Sequence, residues 1–312
     1  MEPLVVAMVL VAAVMHVAWN VLLKTAGDPL RTAAVGILVA TAVVVPLAIV
    51  GWSIADRPPI PPEVLVVAGL SGLVETVYFV LLSGAYRRSE LSVVYPVARG
   101  TAPLIAAAVG VVILGERPGP TAIAGVAALL AGILLLQRPW RLLGSRASAA
   151  ERAAAGFAYA TGACIAGYTV LDRVGVGLVE PWLYAALIWP AMAVGLWAWI
   201  GLAGRGGRRH VGAGWSAEEA PGERPAPDAD GAVDPGTAAV GGLLTLAAYG
   251  LVLVALSVAP VSVIAPLRES AVVLAAGWGA LRLGEATGTP DAVRRLAAAG
   301  LVLAGIVLLV AG

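Results

Sequence analysis

Long uncharged apolar stretches alternate with short polar breaks along the whole chain. About 20 residues suffice to cross a hydrocarbon core of about 30 Å. The pattern therefore predicts ten helices, at 3–23, 32–52, 63–86, 91–114, 119–137, 153–171, 179–202, 237–257, 261–283 and 296–312. The third carries Glu75 and the eighth opens on Gly241 and Gly242, so these two stand out least clearly. Two breaks differ from the others. Residues 138–152, RPWRLLGSRASAAER, are rich in arginine, and 203–236 mix Gly, Pro, Ala and both charge signs without apolar periodicity, which predicts a disordered loop. The first apolar run follows Glu2 rather than a basic leader and continues to about residue 23, so it reads as a retained helix and not a signal peptide.

Composition turns this pattern into a class. Hydrophobic residues make up 60% of the chain, charged residues 12%, and the mean hydropathy is +0.92. Soluble domains lie near 45–50% apolar and about 25% charged. Lipid accepts this much apolar surface on the outside of a helix bundle, and water does not. Cys164 is the single cysteine and His16 and His210 the only histidines, so neither a disulfide nor a zinc cluster is expected, and no cofactor. A net charge of +1 gives no reason to expect a nucleic-acid partner. The expected partners are the bilayer and a small polar solute, with protons as a candidate coupling ion.

The chain also repeats itself. SVVYPVARGTAPLIAAAVGVVILGE at 92–116 recurs approximately as SVIAPLRESAVVLAAGWGALRLGE at 262–285. Ser92 and Pro96 match Ser262 and Pro266, while Arg99 and Glu116 match Arg268 and Glu285 after the loss of one residue. Ser71-Gly72-Leu73 aligns with Gly241-Gly242-Leu243, extending the similarity over two consecutive helices. Five helices per repeat, an odd number, place the second copy upside down in the membrane. The expected architecture is thus all-α and integral to the membrane, with ten transmembrane helices as two five-helix repeats of inverted topology. The first repeat covers 1–137, a basic linker 138–152, and the second repeat 153–312. Such repeats are a known framework for alternating access, with substrate near the midplane between the halves.

HVAWNVLLK at 16–24, PVARGTAPL at 96–104 and LGERPGP at 114–120, with LGE again at 283–285, resemble the EamA branch of the drug/metabolite transporter superfamily. The resemblance implies a ten-helix carrier with a central cavity, often an exporter of amino acids or other metabolites driven by protons or substrate gradients. The HVAWNVLLK start also resembles EamA-type proteins associated with phosphonate use. The second half departs from the pattern, with Gly167-Tyr168 where the first has Trp19-Asn20.

Basic residues argue for an orientation. Fifteen of them lie in or beside the breaks after helices one, three, five, seven and nine, against Arg57, Arg117 and Arg173 on the other side. The positive-inside rule puts the rich side in the cytoplasm. The expected location is the cell (inner or plasma) membrane, multi-pass, with both termini extracytoplasmic.

Ionisable groups inside the spans cost a few kcal/mol unless they face protein or water, which makes them the first candidates for a transport site. Glu75, Arg99, Arg268 and Glu269 qualify. Ser71, Glu75, Tyr78 and Leu82 form one helical stripe expected to face a cavity, and Ser92, Tyr95 and Arg99 repeat the spacing. Arg268 is the more doubtful cavity residue, because adjacent helical residues point about 100° apart and Glu269 is its neighbour. His16, Trp19 and Asn20 share one face of helix one. Cys164, Tyr168 and Asp172 share one of helix six, with Asp172 expected at the water interface. Pro96, Pro103 and Pro266 are candidate helix kinks. Each group has a second reading. The charges can be buried ion pairs that fix packing, the His16 patch a hydrogen-bonded packing patch, and the prolines simple bends. Glu116 and Glu285 read as interfacial or structural, and Trp182, Trp189, Trp197 and Trp199 as headgroup anchors.

The candidate binding set is therefore His16, Trp19, Asn20, Glu75, Tyr78, Tyr95, Arg99, Tyr168, Arg268 and Glu269. Two arginines and two glutamates suit an anionic or zwitterionic metabolite, since a guanidinium holds a carboxylate or phosphate bidentately. In the superfamily that the chain resembles, multidrug members that export lipophilic cations carry an unpaired membrane carboxylate, typically in the first helix; here that helix has no acid beyond Glu2, which the resemblance turns against cation export. The reading is a secondary active exporter of small polar metabolites such as amino acids or organic acids. A drug or cation exporter of the same superfamily, or a channel or scaffold, are the alternatives. No HExxH or GxSxG motif suggests an enzyme.

Overall fold

The computed structural model describes residues 2–24, 26–87, 91–138, 149–207, 233–282 and 288–311. Side chains at 24, 84–87, 91–99, 137, 149–155, 157–158, 204–207, 271–272 and 274–282 lie outside the described set. Among the described residues the chain forms ten helices: α1 (Pro3–Lys24), α2 (Pro29–Ile54), α3 (Pro62–Arg87), α4 (Leu91–Val112), α5 (Pro120–Gln137), α6 (Ala149–Gly175), α7 (Pro181–Gly207), α8 (Pro235–Val258), α9 (Val261–Arg282) and α10 (Thr289–Ala311). Six of them begin on proline, whose fixed φ and missing N–H suit the first helical position. Asp28 and Asp234 cap α2 and α8, each carboxylate accepting from two backbone N–H groups of the first turn.

Most helix ends fall within a few residues of the sequence expectation. The exceptions are polar extensions that apolar runs do not reveal. α10 starts at Thr289 rather than 296, because Asp291 pairs with Arg294 and Arg295 one turn on and keeps the charged first turns helical. α7 runs on to Gly207 and α8 begins at Pro235, so the loop expected at 203–236 is shorter at both ends; residues 208–232 lie outside the described set.

Helices α1, α2, α3, α7, α8 and α10 are long and apolar enough to cross a membrane, and α4 and α5 add shorter apolar stretches at Gly100–Val112 and Pro120–Leu136. Among their described residues, α6 carries Asp172 and Arg173 and α9 carries Arg268 and Glu269. Large apolar side chains such as Leu47, Ile54, Val112 and Val194 point outward over the bundle. Such a surface suits lipid. The protein is an all-α, multi-pass membrane protein.

Packing runs mainly between the first five helices and the last five. α1 lies on α8 and α9, α6 on α3 and α4, α2 on α7 and α8, α3 on α7, and α5 on α10. Exchanging each helix with the one five places away returns the same pairs. Close approach at these crossings requires glycine. A Cβ on Gly242 of α8 would lie 2.1 Å from the carbonyl oxygen of Gly36 in α2, and one on Gly305 of α10 would lie 2.7 Å from that of Gly125 in α5. Without a strong hydrophobic drive between helices in lipid, such small-residue contacts supply the packing energy.

Candidate functional site

The helical stripe of α3 holds in three dimensions. Ser71, Glu75, Tyr78 and Leu82 are all buried, and Glu75 and Tyr78 line a small cavity walled by six helices. α1 contributes His16 and Trp19, α6 Tyr168, α7 Trp189 and Met192, α8 Thr245 and Tyr249, and α9 Arg268. The walls thus come from two of the first five helices and four of the last five. Aromatic rings meet edge to face around the space, Tyr78 with Tyr168 at 5.9 Å and Trp189 with Tyr249 at 6.1 Å between centroids.

Within the α1 patch, Trp19 Nε1 donates to His16 Nδ1 at 2.9 Å, and Asn20 Nδ2 donates to the carbonyl oxygen of His16 at 2.7 Å. An accepting Nδ1 leaves Nε2 to carry the proton of a neutral His16 ring. Asn20 is buried and is not on the cavity wall.

Arg268 faces the cavity, and Nη2 donates to the Tyr168 hydroxyl at 3.0 Å. This reverses the sequence argument, which doubted Arg268 because of its neighbour. The 100° step between the two residues instead leaves Glu269 off the cavity wall, in a smaller space beside Pro103 and Thr169 that Arg268 also borders. Arg268 Nε and Glu269 Oε1 still approach to 3.6 Å. Pro266 lies buried inside α9, and Pro190, which the sequence reading did not single out, sits beside Trp189 in α7. Tyr95, Pro96 and Arg99 stand in α4, but their side chains lie outside the described residues, as does Glu285.

Two further expectations are overturned. Asp172, placed at the water interface by its nearness to the end of its apolar run, is 1% exposed. Oδ1 accepts from Ser71 at 2.6 Å, Oδ2 from Tyr249 at 2.6 Å, and Tyr184 lies 3.4 Å from Oδ1. One carboxylate on α6 thereby gathers hydroxyls from α3, α7 and α8. Trp189, grouped with the headgroup anchors, is 1% exposed and lines the cavity, whereas Trp197 and Trp199 do face outward. Sequence spacing could not reveal these residues, because their partners are 12 to 101 positions away.

Glu75 is the other buried carboxylate of this cluster, with Asp172 and Arg268 as its charged neighbours. Oε2 has no hydrogen-bond partner among the described residues, and neither has Trp189 Nε1. Among the described residues no three His, Cys, Asp or Glu side chains converge as metal ligands.

A second space of about 300 Å³ shares Trp19, Phe79 and Thr245 with the cavity. It leads toward Leu22 and Leu23 at the end of α1, Thr32 at the start of α2 and Thr237 at the start of α8. Glu116 lies toward the other end. Its Oε1 accepts from the N–H of Val261 at 2.7 Å and its Oε2 from that of Ser262 at 2.9 Å, capping α9, with Arg173 Nε 3.7 Å away. A Cβ on Gly110 would come within 2.5 Å of this carboxylate, so glycine makes its room. α8, at 24 residues, separates the two ends by about 36 Å.

Comparison with known proteins agrees with this architecture. Residues 3–138 match the EamA-like transporter family. A solved crystal structure of another protein superposes with a TM-score of 0.61 at 18% identity, covering 97% of each chain. No curated protein sequence matches the chain.

Proposed function

We propose that this chain, whose residues 3–138 match the EamA-like transporter family, is a secondary active exporter of small polar metabolites, such as amino acids or organic acids. It works by alternating access between two five-helix halves of inverted topology, 1–137 and 153–312. The observation that carries this reading is the cavity itself. Helices of both halves wall it, and it holds Glu75 and Arg268 in one small aromatic space. Ionisable groups that face a cavity inside a membrane protein are the first candidates to bind or move a polar solute.

Inverted repeats are favoured by the sequence repeat and by the helix pairing, which maps onto itself when the halves are exchanged. The neighbouring space that shares Trp19, Phe79 and Thr245 with the cavity extends toward the end where α1 finishes and α2 begins, which favours access from that end. At the opposite end Glu116, between α4 and α5, caps α9 and approaches Arg173, a contact between the halves that favours closure there. By the positive-inside rule the open end faces the cytoplasm and Glu116 the outside, the loading state of an exporter.

The site residues of this reading are His16, Trp19, Glu75, Tyr78, Tyr168 and Arg268 on the cavity wall. Arg268 supplies fixed positive charge, and Glu75 binds a substrate amine or a proton. Counterflow in proteoliposomes tests it. Unlabelled substrate inside should accelerate uptake of label several-fold. A channel would pass solute without this acceleration, and that result for every ligand that binds would overturn the carrier.

A further inference from the structure

The polar groups of the cavity divide into those with protein partners and two atoms without. Asp172 is held by hydroxyls, Arg268 by Tyr168 and Glu269, and His16 Nδ1 by Trp19. Glu75 Oε2, an acceptor, and Trp189 Nε1, a donor, have none among the described residues, although their side chains are 4% and 1% exposed. Both residues line the same cavity. Leaving a buried polar atom unmatched costs about 1–3 kcal/mol, more for a charge, so such an atom in a native site calls for an explanation.

We propose that Glu75 Oε2 and Trp189 Nε1 form a two-point recognition site for a small amine that also carries an oxygen acceptor. The carboxylate accepts from the ammonium of the substrate, and the indole N–H donates to its oxygen. This inference rests on the carrier reading and narrows it.

Charge and shape favour the amine over a purely anionic acid. Among the described residues, Glu75 and its neighbour Asp172 are two carboxylates against the single guanidinium of Arg268 in this cluster. Arg268 is already engaged by Tyr168 and Glu269, so it does not call for a substrate anion. The rings of Trp19, Tyr78, Tyr168, Trp189 and Tyr249 surround the space, and aromatic faces attract an ammonium in a desolvated site. A carboxylic acid without an amine would bring a negative charge beside Glu75 and leave its oxygen unmatched. The acid that matters sits on α3, so its absence from the first helix does not argue against amines.

The test is thermal-shift binding to the purified full-length protein with matched sets of ligands, each set an amino acid, its amino alcohol, the plain amine and the deaminated acid. Leucine, leucinol, 3-methylbutylamine and 4-methylpentanoate form one set, and smaller and aromatic sets bracket the size. In the set that fits, amino acid and amino alcohol should bind, the plain amine about ten-fold more weakly, and the deaminated acid not measurably. Glu75→Gln, near-isosteric, should weaken every amine at least ten-fold. Trp189→Phe, which keeps an aromatic ring and removes the N–H, should erase the preference of amino alcohol over plain amine. Deaminated acids binding as tightly as amino alcohols, no amine binding in any set, or unchanged preferences in both variants would overturn the proposal. Binding with the expected preferences but no counterflow would leave the recognition site standing and remove the carrier.

Discussion

Glu75 and Asp172 are buried carboxylates in one cluster, on α3 and α6, and they are built for different work. Each oxygen of Asp172 receives a hydroxyl at 2.6 Å, and its donors come from helices on both sides of the sequence midpoint. The Tyr249 hydroxyl also reaches the carboxylate of Glu75, which nevertheless keeps one oxygen, Oε2, that no described group fills. Burial alone therefore does not mark a transport residue; the distinction lies in whether the protein has already satisfied the group. On the proposed reading Asp172 serves as a tie between helices, and Glu75 as the group left available to a solute.

Asp172→Ala should break this comparison most severely. Hydrogen bonds to a charged group contribute about 1.5–3 kcal/mol each, and removing the acceptor strands Ser71 and Tyr249 hydroxyls in the interior. A loss of at least about 3 kcal/mol is expected, read as a large drop in melting temperature or failure to purify as a monodisperse protein. Glu75→Gln should do the reverse, lowering counterflow about ten-fold or more while melting within a few degrees of wild type. A variant at Asp172 that folds normally but does not transport would exchange the two roles.

The same contrast explains what could be read from the sequence. Glu75, Tyr78, His16 and Trp19 were legible because helical spacing puts them on stripes, and the stripes do meet one cavity. The helices were legible because lipid demands long apolar runs. Asp172 was not, because an acid near the end of an apolar run looks the same whether water or three hydroxyls await it. Arg268 and Glu269 could be told apart only by the rotation of α9 about its axis, which packing sets and spacing does not. Trp189 required knowing that its face of α7 turns inward while that of Trp197 does not.

Glu116 provides an intermediate effect, since it joins the halves without touching the cavity. Its carboxylate accepts two backbone N–H groups at the start of α9. Glu116→Gln keeps one acceptor oxygen, loses the charge opposite Arg173, and places an amide donor against an N–H. The cost should be about 1–3 kcal/mol, felt by the closed arrangement rather than by the fold. In a Cys164→Ser background, the buried position Ala259 next to this contact can be probed by Ala259→Cys. Thiol labelling there should speed up several-fold with Glu116→Gln, with a melting temperature close to that of the parent. Unchanged labelling would show that the carboxylate only caps α9.

The smallest effect sharpens the comparison from the other side. Trp197 is 42% exposed on the same helix as Trp189, over a surface of outward apolar side chains. Two helical turns separate them with a rotation of about 80° beyond full turns, enough to move a side chain from the cavity wall to the lipid face. Trp197→Leu should thus leave counterflow within two-fold and stability within about 0.5 kcal/mol in a lipid bilayer, as for a surface position without special features. Trp189→Phe, chemically the milder change, should alter ligand preference. If Trp197→Leu shifted that preference as much, the indoles of α7 would be acting through helix packing, and the assignment of Trp189 Nε1 to the substrate would fall with it.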